Sequence, residues 1–315
     1  MASRTENITY RCLYGILKAV ARLPFGVLYA LSDLMSAFIY NVVRYRRRMV
    51  TENLRSCFPE KSETEIRAIR RQFYRNFADY VVETIKLLHV SDAEIKKRFT
   101  WAGLENITDE MNAGRSVVAY FSHCGNWEWA PSITLHCPGQ IDNGDLFCQI
   151  YRPLRDPVFD RLMLKVRSRF GSVSIPKASA LRKFIEMRRQ NIVSVTGFMS
   201  DQKPSHGDPV HIIPFLGRPT KVITGTETLA RRLGMAVVYW DITKPARGHY
   251  HVNVVRLTEN AADTQPFELT DKYFSLLEKN IRQNPSIWLW THNRWKHRLT
   301  ADEIAEYDKT RQNNL

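Results

Sequence analysis

Ser122-His123-Cys124-Gly125-Asn126-Trp127-Glu128 is the stretch of this sequence best equipped for chemistry. An imidazole is followed five residues later by a carboxylate. On one continuous helix that spacing would put them on different faces, since same-face neighbours lie three or four apart. They meet only if His123 lies in a turn and Glu128 in the early turns of a following helix. A carboxylate that holds an imidazole in one tautomer makes it a better general base. The pattern alone is compatible with hydrolysis, acyl transfer or proton abstraction.

The nucleophile narrows the choice. The sequence contains no Gly-x-Ser-x-Gly elbow, and Cys124 adjoins His123, where neighbouring side chains at a turn diverge. Direct general-base catalysis on a substrate hydroxyl remains. Backbone N–H groups after Gly125 or a nearby Arg would serve the attacked carbonyl oxygen. Two His-Cys dipeptides, His123-Cys124 and His136-Cys137, raise zinc as an option. Adjacent residues rarely chelate together and no Cys-x-x-Cys is present, so no metal is expected.

Positioning such a site requires an α/β frame. Val117–Phe121 is a short apolar run, read as a buried strand that delivers His123 to a strand–helix turn. Strands are expected over 99–101, 145–151, 173–175 and 192–198, alternating with helices over 105–112, 157–170 and 178–190. That alternation argues for a mostly parallel central sheet flanked by helices. Ser62 and Glu65 form a capping box ahead of a long amphipathic helix from Glu63 to Leu88. The Arg67, Arg70, Arg71 and Arg75 face of that helix is read as solvated charge. Lys203–Lys221, rich in Pro and Gly, is read as an ordered loop with a short extended piece. A helix then runs to Leu233, followed by paired strands over 236–242 and 250–257 and a helix over 267–283. The first seven residues are expected to be frayed, and the last to form a weak polar helix.

Composition bounds the partners. The chain has 315 residues, 44% hydrophobic and 25% charged, with a net charge of +14. The five cysteines follow no disulfide spacing, which fits a reducing compartment. Between Tyr151 and Gln190, eleven Lys or Arg face three carboxylates, so over half of the net charge falls there. Together they read as an anion-docking face. Near the N-terminus, Pro24–Val43 is an apolar run of about 30 Å as a helix, enough to match a bilayer core. Asp33 in its middle is costly in a spanning helix. Arg44, Arg46, Arg47 and Arg48 follow at once and suit anionic headgroups. Residues 1–48 are therefore read as a hydrophobic membrane anchor with its Arg cluster, and 49–315 as the catalytic domain. A core helix pair of a soluble protein is the competing reading.

Several blocks carry a resemblance. The His123–Glu128 stretch resembles the His-x4-Asp/Glu block of the lysophospholipid acyltransferase superfamily, and its Gly-Asn-Trp-Glu form resembles the late lipid A acyltransferase branch. Tyr151-Arg152-Pro153, Asp201-Gln202, Pro214-Phe215-Leu216-Gly217 and Trp290-Thr291-His292-Asn293-Arg294-Trp295-Lys296 are similar to further blocks of that branch, in order. The resemblance runs from roughly Leu13 to Arg298. Leu216 stands where the branch has an aromatic residue, and the loop from Lys244 to Gly248 is short for it.

The resemblance implies His123 as base and Glu128 as its orienting partner. It implies Asn126, Arg152, Asp201, Gln202 and Arg294 as substrate-binding residues, with Arg152 on a substrate phosphate or the oxyanion. It implies an acyl donor on acyl carrier protein or coenzyme A, a phosphorylated glycolipid acceptor, no cofactor, and a place at the cytoplasmic face of the inner membrane. A lysophospholipid or amino-acid lipid is the alternative acceptor. From other classes, a nucleic-acid-binding protein finds support in the aromatic-basic stretch Trp288–Arg298. It lacks any nucleic-acid motif, so nucleic acid is not an expected partner. A non-catalytic membrane-surface scaffold is the third reading.

Overall fold

The computed structural model describes residues 4–297, 299–305 and 307. Its frame is a seven-stranded sheet in the order β1-β9-β8-β2-β5-β3-β4. The strands are β1 (Phe99–Ala102), β2 (Val117–Phe121), β3 (Leu146–Tyr151), β4 (Val173–Pro176), β5 (Ser194–Met199), β8 (Ala236–Ala246) and β9 (His249–Thr258). Within this sheet β8 and β9 pair antiparallel, and the other neighbours are parallel. The expected α/β class with a mostly parallel sheet is what the chain forms.

β2 is buried at every residue, as a central parallel strand covered on both faces must be. Its side chains alternate between two apolar layers. Val118 and Tyr120 enter one with Tyr239, Tyr273 and Trp288. Val117, Ala119 and Phe121 enter the other with Phe147, Val195, Val238 and Trp240. Helices flank the sheet: α5 (Asp92–Arg98), α6 (Glu105–Asn112), α7 (Pro138–Asp142), α8 (Pro157–Arg167), α9 (Ala180–Arg189) and α10 (Gly225–Leu233), with α11 (Glu268–Gln283) following the last strand. α10 ends at Gly234 in the left-handed conformation, the stop a glycine permits.

The chain enters through α1 (Arg4–Ala21), α2 (Phe25–Phe38), a π-turn over Ile39–Val43, α3 (Arg47–Cys57) and α4 (Glu63–Lys86). Helix thus begins at Arg4, where frayed residues were expected. The Ser62–Glu65 capping box opens α4. The Arg face of α4 is not all solvated. Arg70 donates to Tyr40 Oη and Thr51 Oγ1, and Arg75 pairs with Asp33. Both serve to dock the N-terminal segment.

The stretch after Lys203 also departs from expectation. It forms an antiparallel hairpin of β6 (Val210–Phe215) and β7 (Arg218–Ile223). Leu216 and Gly217 make its turn, both at positive φ. Pro214 sits opposite Pro219, so the prolines that obscured the strands in sequence share one cross-strand pair. The segment after Trp127 is a 3₁₀ stretch, Trp127–His136, containing Pro131. Proline removes an N–H donor and keeps a regular α-helix from forming. Arg298 and most of the expected C-terminal polar helix lie outside the described residues.

Candidate active site

β2 and β5 are parallel neighbours, with Phe121 beside Met199. The residues that follow them, His123 and Asp201, therefore emerge side by side at the carboxyl edge of the sheet, where open α/β sheets place their ligands. The Asp201 carboxylate takes three donors. Oδ1 lies 2.7 Å from His123 Nδ1. Oδ2 accepts from the His123 backbone N–H at 3.0 Å and from Trp288 Nε1 at 2.8 Å. Burial would raise this carboxyl, but its interaction with the His123 imidazole and the hydrogen bonds from His123 and Trp288 outweigh it and hold the group down at about 2. An ionised carboxylate only accepts, so Nδ1 carries the ring proton. The Gln202 amide nitrogen, which can only donate, lies 3.0 Å from Nε2, so Nε2 accepts through its lone pair.

The turn is held from behind. The Gly125 N–H donates to Ile287 O, and the Leu289 N–H donates to His123 O. Gly125 has φ +62°, and a Cβ there would sit 2.9 Å from the Tyr250 ring, so only glycine fits. The His123 ring meets Trp127 edge-on at 4.9 Å, and Trp127 stacks on Tyr80 at 4.3 Å.

Glu128 does not touch the imidazole. Its two oxygens accept from Arg167 Nε and Nη2 at 2.8 and 2.7 Å, a fork-on-fork pair. The expected His123–Glu128 contact fails because Glu128 sits at the start of the 3₁₀ stretch, facing α8 rather than the turn. The partner of His123 is Asp201, expected instead as a substrate contact. Arg167 was missed as a site residue; nothing in its spacing separated it from the other cations of the basic segment.

His123, Glu128 and Arg167 all line one cavity of about 370 Å³. Its walls are largely apolar: Phe121, Ala130, Ile133, Phe147, Val195, Met199 and Trp240. β5 lines it from Met199 through Gly197 to Val195, a run of about 13 Å at strand rise. At Gly197 a Cβ would come within 2.8 Å of the Phe121 ring. The missing side chain keeps that wall flat. Arg152, Lys177 and Lys203 line the same cavity, Lys177 paired with Asp208. Arg152 and Gln202, the expected substrate contacts, both line this cavity.

Two other expected contacts do not reach the cavity. Asn126 is fully buried and donates to Glu83 Oε2 at 2.9 Å. Glu83, also fully buried, accepts from Tyr250 and Tyr29 hydroxyls as well, so Asn126 braces the turn from below. Arg294 is buried behind the site, its guanidinium 6.0 Å from the Phe274 ring centroid, and burial pushes it down to about 10. Two residues before it, His292 is pushed down to about 4 by burial, within electrostatic reach of Asp201 and His123.

A buried carboxylate–histidine pair at the edge of a mostly parallel sheet, beside a largely apolar cavity, marks the chain as an α/β protein with one candidate site. The sequence comparisons give that class its family. The profile of the bacterial lipid A biosynthesis acyltransferase family matches residues 5–297, and the chain belongs to that family and is an O-acyltransferase. It is 24% identical over 286 residues to the lipid A biosynthesis lauroyltransferase of Escherichia coli K12, covering 90% of each chain. It is 22% identical over 288 residues to the palmitoleoyltransferase of the same strain, covering 91% of each. To the myristoyltransferase it is 28% identical over 185 residues, 56% of this chain and 55% of that one.

Proposed function

We propose that this protein, at a membrane surface, transfers a fatty acyl group from a thioester on acyl carrier protein or coenzyme A to a hydroxyl of a lipid A precursor. The observation that carries the reading is the Asp201–His123 pair with Nε2 turned to a cavity of hydrocarbon character. In this reading a substrate hydroxyl replaces Gln202 at Nε2 and gives up its proton as its oxygen attacks the thioester carbonyl. The ionised Asp201 stabilises the imidazolium that forms. The C–S bond then breaks, and the imidazolium returns the proton to the departing thiolate. No acyl-enzyme forms.

Glu128 acts through Arg167 here. The paired guanidinium sits in the cavity wall, where its charge favours the oxyanion that develops on the carbonyl. The acyl chain follows β5 toward Val195. Arg152 and Lys203 supply charge for phosphate, whether of the donor arm or of the acceptor. The basic segment from Arg152 to Arg189 offers acidic acyl carrier protein a docking face.

The test is in vitro transfer. Purified protein, an acyl thioester and a lipid A precursor should yield a product heavier by one acyl chain. Transfer to a lysophospholipid or amino-acid lipid, with none to the lipid A precursor, would replace the acceptor while keeping the chemistry.

A further inference from the structure

We infer that the N-terminal apolar segment does not cross the bilayer but lies in its interface, clamped lengthwise to the catalytic body, with both its ends on the same side. The inference rests on the membrane association proposed above.

By composition Phe25–Val43 is long and apolar enough to span. Its flanks contradict a crossing. Ahead of it, α1 packs on α8 and α4. Arg161 of α8 donates to Asn7 Oδ1 at 3.0 Å and lies 4.0 Å from the Tyr10 ring centroid. Lys86 of α4 donates to the carbonyls of Ala21 and Leu23 at 2.9 and 2.7 Å. Behind it, Arg46 donates to Thr291 O at 2.7 Å, in the segment next to the site. A spanning helix puts its two flanks on opposite sides of a ~30 Å hydrocarbon layer. Here both flanks grip one domain.

The segment itself is also fixed to that domain. Ser32 donates to Asp79 at 2.7 Å and Tyr29 to Glu83 at 3.1 Å, both on α4. Asp33, costly inside a bilayer, is paired with Arg247 at 2.9 Å and Arg75 at 3.0 Å. The opposite face is bare: Val27, Leu31, Leu34, Phe38 and Val42 are exposed at helical spacing. One polar, docked face and one apolar, open face describe an in-plane helix.

The occupant of the open face is an anionic lipid surface. Arg44, Arg46 and Arg48 stand exposed directly after the stripe, at the level of headgroup phosphates. Phe159 on α8, the helix that α1 packs against, and Leu154, which lines the cavity, are exposed apolar groups as well.

The chain carries its own reporter. Cys12 in α1 is exposed, while Cys57, Cys124, Cys137 and Cys148 are buried. The full chain, and a Glu60→Cys variant that marks the body, are treated with an impermeant maleimide in intact spheroplasts and in inverted vesicles. Cys12 should label only in the preparation in which Glu60→Cys labels. Labelling of Cys12 from the opposite side overturns the inference. So does failure of both Cys12 and a Thr5→Cys probe to label in either preparation. Flotation with phosphatidylglycerol–phosphatidylethanolamine vesicles separates the two levels. Loss of flotation in the unaltered protein removes the membrane reading itself, whereas flotation with opposite-side labelling removes only the in-plane placement. Leu31→Glu with Leu34→Glu should weaken vesicle binding at least about tenfold; unchanged binding would also count against it.

Discussion

Asp201 Oδ1 lies 2.7 Å from His123 Nδ1, although 78 residues separate the two in sequence. The contact exists because β2 and β5 are parallel neighbours in register, so each strand delivers its next residues to the same edge. Asp201→Asn should keep the size of the group but remove the charge that favours imidazolium. We expect kcat to fall about 10²–10⁴-fold with KM little changed. Steady-state kinetics on a variant shown to be folded would check this; a rise in KM alone would assign Asp201 to substrate binding.

Glu128 and Arg167 should behave as a unit. Both are largely buried, so removing either leaves an uncompensated charge, at a cost of about 3–5 kcal/mol in stability. Glu128→Gln with Arg167→Met should therefore be more stable than either single change in urea unfolding, yet still poorly active. Recovery of activity in the double variant would show that the pair is structural only.

The far end of the cavity should set acyl length. Val195→Phe fills space about 13 Å along β5 from Met199 and leaves His123 untouched. The expected outcome is a preference for shorter acyl donors with kcat for those donors retained. An unchanged preference across a donor series would place the chain elsewhere.

Stability should depend on pH through His292. Its ordinary value is 6.5 and burial pushes it down to about 4 in the folded state. The unfolded chain thus binds more protons between these values, and stability present above about 6.5 is lost as pH falls toward 4. The loss should be on the order of 1–2 kcal/mol once solvent screening is allowed for. Asp201, held at about 2, adds its own loss only below its ordinary 3.8. Urea midpoints measured from pH 7 to pH 4 should fall for the unaltered chain and stay flatter for His292→Phe.

Local pattern made much of this protein legible from its residues. The Ser62–Glu65 box, the Val117–Phe121 strand and the Gly234 stop are decided within a few residues, and each forms as its sequence implies. The histidine at a strand end was equally local. Its partner was not, because spacing along the chain cannot show which strand lies beside β2. Glu128 was drawn to His123 by proximity in sequence, while in space Arg167 reaches it from α8. The hairpin at Val210–Ile223 was hidden by Pro214 and Pro219, whose opposition is visible only once the strands pair. Asn126 carries the motif spacing but serves the buried Glu83 cluster, a role that requires α4 to be in place.

In the proposed mechanism His123 takes the proton from the acceptor hydroxyl. The most direct measurement is single-turnover acyl transfer by purified His123→Ala, with unfolding midpoints to show that the fold is kept. A general base at His123 predicts a rate at least about 10²-fold below that of the unaltered chain, with substrate binding preserved. Transfer at the full rate by that folded variant would contradict it.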